Sequence, residues 1–142
     1  TGSEKSYAPG VWFNSAKFFD LEYQVYGNVP NHTPAGESSY YWESVDGEKC
    51  LRVNWNSTTR VITGMHAIGI RLRQSACIKW IEEKIKIEVV MQNISQAVFD
   101  PEFFRDFSRS ITADFQAKQN MVRSDDLHNK SPDSPTKVAE HA

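Results

Sequence analysis

His32, His66, His128 and His141 are the histidines of this chain, and Cys50 and Cys77 are its cysteines. Acid–base or nucleophilic chemistry needs such a group beside a nucleophile or an orienting acid. His66 stands between Met65 and Ala67 in a strand-like run with no such partner near it, and reads as a structural or partly exposed imidazole. His32 falls in a loop rich in proline, asparagine and glycine, while His128 and His141 belong to a polar tail. The cysteines form no Cys-x-x-Cys pair and share no metal-ligand spacing with histidine, so both are expected as reduced thiols. No catalytic residue and no metal ligand is assigned.

Arg71 and Arg73 are the other candidates, because they follow Gly69 where a strand is expected to give way to a helix. Guanidiniums at a helix start oppose its dipole, which favours anions there. Either they contact an anionic partner, such as a carboxylate or a cofactor phosphate, or they are solvated or locally salt-bridged. Glu82-Glu83 is no carboxylate dyad, since helical neighbours point about 100° apart. Trp12, Phe13, Tyr40, Tyr41, Trp42 and Trp55 are more aromatics than one side of a small sheet hides. Trp12, Phe13, Tyr40, Tyr41, Trp42 and Phe103 are therefore candidate interface residues.

Periodicity predicts the elements that position these groups. From Phe18 to Tyr26, Phe19, Leu21, Tyr23 and Val25 alternate with Asp20, Glu22 and Gln24, which predicts a half-buried strand ended by Gly27. Residues 27–37 read as a loop. Ser39–Glu43 is a second strand, Asp46-Gly47 a hairpin turn, and Glu48–Trp55 a third strand with Leu51, Val53 and Trp55 on one face. The run Arg60–Gly69 is a fourth strand, completing an antiparallel meander. Gly64 inside it implies a bend or the close approach of another backbone, and Gly69 a sharp turn straight into a helix.

That helix carries Leu72, Ala76, Cys77, Trp80 and Ile81; a second carries Ile87, Val90, Met91 and Ile94. A third is expected from Asp100-Pro101 to about residue 117, with Phe104, Phe107, Ile111 and Phe115 as a core stripe. The expected organisation is a lead-in over 1–16, one domain over 17–118 and a disordered tail over 119–142. The fold class is α+β, a mainly antiparallel sheet of four or five strands with helices packed on one face.

With 142 residues and a formal net charge of -2, the chain gives no electrostatic reason to expect nucleic acid. No apolar run approaches the roughly 18 residues of a membrane span. The start Thr1-Gly2-Ser3 is what a piece of a longer protein would show, and no signal peptide is evident. Three Asn-x-Ser/Thr triplets, at Asn31, Asn56 and Asn93, read as chance matches.

Three stretches, in order, carry a resemblance. Ile62-Thr-Gly-Met-His-Ala-Ile-Gly69 resembles the last long strand of the C-terminal interface or dimerisation domain in FAD-dependent pyridine nucleotide-disulfide oxidoreductase-like flavoproteins. Lys17-Phe-Phe-Asp-Leu21, followed by Gly27, resembles the opening strand of that domain in the NADH oxidase and coenzyme A disulfide reductase branch. Ala97-Val-Phe-Asp-Pro-Glu-Phe103 stands at the place of its aromatic-x-Pro-Pro-Phe segment. The resemblance implies a domain that braces a flavin-binding domain and forms a subunit interface. FAD and NAD(P)H would belong to the parent oxidoreductase, with none bound by this chain alone. The implied partners are the chain's own FAD- and NAD-binding domains and a second copy in a homodimer, in the cytoplasm.

The departures bear on chemistry. Ile87–Phe103 contains no histidine, so the His–Glu pair that disulfide reductases of this type lend to a partner subunit is not supplied. The chain also has no Gly-x-Gly-x-x-Gly fingerprint and no redox cysteine pair. Two other classes stay open: an autonomous protein- or ligand-binding module, and a small enzyme with a pocket between sheet and helices.

Overall fold

The computed structural model describes residues 10–99 and 106–129 of this chain. β1 (Phe13–Phe18) and β2 (Leu21–Gly27) form a tight hairpin where the sequence predicts a lead-in and then one strand. The turn rests on Phe19 and Asp20, with Phe19 in the left-handed region at φ 52. Asp20 is a turn-favouring residue, but a phenylalanine at positive φ is not, and the lone Asp within an alternating run is a weak signal. Phe19 is consequently 96% exposed and contributes nothing to the core.

The hairpin also corrects the buried face. Gln24 and Tyr26 point toward the helices, whereas Tyr23 and Val25 lie on the opposite side. Gln24 is buried because its amide is used: Leu72 N–H donates to its Oε1 at 2.7 Å, and its Nε2 donates to Leu72 O at 3.4 Å. A polar group paired in this way loses little by leaving water.

β3 (Glu37–Glu43), β4 (Cys50–Asn56) and β5 (Ile62–Ile68) complete a five-stranded antiparallel sheet in the order β1-β2-β5-β4-β3. The Asp46-Gly47 turn joins β3 to β4, with Gly47 at φ 73. One face of the sheet presents Tyr26, Tyr40, Trp42, Leu51, Val53 and Met65 to the core. Leu51, Val53 and Met65 have no exposed surface, and each contributes about 1.5–3 kcal/mol by burial.

The chain does not pass straight from Gly69 into a helix. A two-stranded piece, β6 (Arg71–Leu72) with β7 (Val98–Phe99), intervenes before α1 (Gln74–Glu82). Leu72 thus enters the core from a strand. α1 buries Cys77 and Trp80, and α2 (Ile87–Gln92) buries Ile87, Val90 and Met91. α3 (Ser108–Asn129) buries Ser108, Ile111 and Phe115 against β3 and the preceding helical turns.

Asp106 Oδ1 accepts from Ser108 N–H at 2.9 Å and starts α3. The start expected at Asp100-Pro101 lies outside the described residues, as does residue 104. The helix continues past the boundary expected at 118, as far as Asn129. Residues 120–129 are exposed on every side, so it outruns the core rather than adding to it.

Candidate functional site

Strand alternation dictates what lies on the sheet face away from the helices. Because Leu51 and Val53 point inward, Arg52 points outward; Met65 and Ala67 do the same for His66. Register sets these residues side by side, with Val25 opposite His66 on one flank and Arg52 opposite it on the other. Tyr23 meets the His66 ring edge-on, with centroids 5.0 Å apart.

The wall of the site is the loop after β2, and Gly64 makes room for it. Asn28 N–H donates to Thr63 O at 2.9 Å, which draws the loop over β5. A Cβ on residue 64 would stand 2.2 Å from Asn28 O and 2.8 Å from Val29 Cγ2. The glycine within the strand therefore marks a close backbone approach. Gly27, at φ 67, directs the chain into this loop, and its N–H donates to Trp12 O at 2.8 Å. Trp12 closes the other end, leaving a cleft of about 600 Å³.

Arg52 is held in place by neutral groups. Its Nε donates to Ser39 Oγ at 3.0 Å and its Nη2 to Thr33 Oγ1 at 3.2 Å. Among the described residues no carboxylate pairs with it. Burial, and secondarily the Arg52 charge, hold the His66 pKa below its ordinary value, and His66 Nε2 is shielded from water without a hydrogen-bond partner. The arrangement is a fixed cation beside a neutral imidazole, with Trp12, Tyr23, Val25, Val29 and Pro30 as apolar walls and Asn28 and Asn31 as polar ones. It suits binding an anion. Among the described residues His66 hydrogen-bonds to no nucleophile and no orienting acid, which nucleophilic catalysis would require. The described residues contain no group of three or more His, Cys, Asp or Glu that could hold a metal ion.

The residues singled out in the sequence do not gather at this cleft. Trp12 lines it and is 58% exposed. Phe13 stacks on Tyr26 at 4.9 Å on the helix side. Tyr40 and Trp42 are core residues at 4% exposure each, so they cannot form an exposed interface; only Tyr41 between them faces out. Phe103 lies outside the described residues. Arg71 is in β6 and ion-pairs with Glu22 at 3.2 Å, and Arg73 immediately precedes α1; neither occupies a helical first turn. Gly69, at φ 71, turns beneath Glu48 O, which a Cβ would approach to 2.7 Å.

Arg52 was missed as a candidate, though the inward stripe Leu51, Val53 and Trp55 already places it on the outer face. What sequence lacks is the register that brings it opposite His66. No protein-family model matches the chain, and neither does any curated protein or solved structure.

Proposed function

We propose that this chain is the C-terminal interface domain of an FAD-dependent NAD(P)H oxidoreductase, bracing the flavin-binding domain and contributing to a subunit interface. The observation that carries the reading is the sheet face left uncovered by the helices. It displays Phe18, Leu21 and Tyr41 at 71%, 49% and 48% exposure. Apolar side chains left in water on that face favour docking against another protein surface. The resemblance described above supports the flavoprotein assignment through the order of meander, glycine-bearing strand and two short helices; its opening-strand motif, Lys17–Leu21, is instead divided by the turn at Phe19-Asp20. The free thiols Cys50 and Cys77 suit a reducing, cytoplasmic setting. Among the described residues no helix is long and apolar enough to cross a membrane.

The test is purification of the natural gene product that carries this segment, followed by hydrogen exchange. A bound flavin, together with protection of residues 14–25 that is lost in the isolated chain, supports the reading. A flavin-free product, or identical exchange in both forms, overturns it. The cleft around Arg52 favours a second reading, an autonomous ligand-binding module, which flavin-free product with saturable ligand binding would support.

A further inference from the structure

The cleft holds features that the domain's own packing does not use. Among the described residues Arg52 is the one permanently charged side chain lining it, and it is fixed by two hydroxyls with no carboxylate paired to it. A guanidinium held in place without a counter-charge leaves donors free to meet an arriving anion. Beside it, His66 Nε2 has no partner. The walls mix polar and apolar groups: Asn28, Val29, Pro30 and Asn31 from the loop, and the indole of Trp12 from the opposite side. Trp12 is 58% exposed, whereas Trp42, Trp55 and Trp80 are 4%, 4% and 7% exposed. Leaving a single indole in water at the mouth of a charged cleft fits stacking against a planar ligand.

We infer that this cleft is a binding site for a small aromatic carboxylate, its carboxylate paired with Arg52 and its ring against Trp12 and the Val29-Pro30 loop. One guanidinium matches a monoanion, since Arg presents its donors as a planar fork that fits a carboxylate. A phosphate or nucleotide is better served by a glycine-rich loop, a helix start or several cations, and among the described residues none of these lines the cleft. The volume of about 600 Å³ accommodates a molecule of one or two rings. This site goes beyond the flavoprotein reading and does not depend on it.

The experiment is an NMR titration of the full chain with benzoate, and with benzamide as the uncharged analogue. Benzoate should move the Trp12 indole and His66 ring resonances together and saturate with a Kd of about 1 mM or tighter. Benzamide should bind at least about tenfold more weakly, as expected when a charge-assisted hydrogen bond is lost. Arg52→Met should weaken benzoate at least about tenfold as well, with the signals of Trp42, Trp55 and Trp80 unchanged to show an intact core, and Arg52→Lys should recover part of the loss. No saturation by about 20 mM overturns the proposal, as does equal binding of benzamide or undiminished binding to Arg52→Met. An acidic aromatic peptide that binds while benzoate neither binds nor competes also overturns it, and would make the cleft a protein-docking site.

Discussion

Replacing Gly64 by alanine would put a methyl group 2.2 Å from Asn28 O and 2.6 Å from Asn28 C, backbone atoms that cannot rotate aside. Either β5 or the loop after β2 must move, and such overpacking costs about 1–3 kcal/mol. Gly64→Ala should therefore lower the urea midpoint by that equivalent. Gly10→Ala, where a Cβ meets nothing within 4 Å, should stay within about 0.5 kcal/mol of the parent. His66 gives the residue-scale pH dependence. Its folded pKa lies below the ordinary 6.5, first through burial and then through Arg52, the charged group facing it across the sheet, while Tyr23 packs against its ring. Below about pH 6.5 the unfolded chain binds a proton that the folded chain resists, so ΔG of unfolding has a positive slope with pH there. The contribution is present above that pH and lost as pH falls through the folded value. Urea midpoints measured from about pH 8 to about pH 5 should drop more in the parent than in His66→Gln, because the difference isolates this group from the carboxylates. Parallel curves would remove His66 as the cause.

At the scale of elements, α3 is pinned to β3 by a short polar chain. Tyr40 O–H donates to Asp114 Oδ2 at 2.8 Å and lies 3.1 Å from Ile111 O. Lys118 pairs with Asp114 at 3.0 Å and donates to Tyr41 O at 2.7 Å. Burial first, and then Asp114, hold the Tyr40 hydroxyl well above the usual tyrosine range, so it remains a donor at any working pH. Tyr40→Phe should cost about 1.5 kcal/mol in urea denaturation and speed amide exchange at Ile111 and Phe115. Beyond residue 119 the helix has no packed face, and an unpacked helical end of this length is marginal in water. Within the described residues trypsin should cut first after Arg123, ahead of Arg109 and Lys118; protection at Leu127 equal to that at Ile111 would count against this. Elements were legible in sequence where one local period governs them, as in Leu51, Val53 and Trp55 of β4 or Ile87, Val90 and Met91 of α2. They were illegible where a distant partner decides. Gln24 is inside because of Leu72, 48 residues away, and the Phe19-Asp20 turn is announced only by a single Asp beside a phenylalanine that turns at positive φ. The cleft shows the same division: alternation assigns Arg52 and His66 to one face, but their pairing depends on a register that shifts between Asn54 and Trp55.

For the whole molecule, the question is what the open sheet face does when the chain is alone. Its exposed apolar side chains include Phe18 and Leu21 at the β1–β2 edge and Tyr41 on β3 at the opposite edge of the five-stranded sheet. Removing them from water is favourable, and in the absence of another domain a second copy is the available surface. A stable two-fold contact should bury about 1,200–2,000 Å² in total. Sedimentation equilibrium at micromolar concentration should therefore show association, and the double change Phe18→Ser with Leu21→Ser should weaken it without unfolding the chain. Changes at Tyr40 or Trp42 should act differently: at 4% exposure these side chains stabilise the core, so alanine there should cost about 3–5 kcal/mol and any lost association would follow from unfolding. A strict monomer that is unaffected by the Phe18 and Leu21 changes would remove self-association from the proposed role. The open face would then be accounted for by docking to a different domain, since the same exposed side chains serve that contact without needing a copy of themselves.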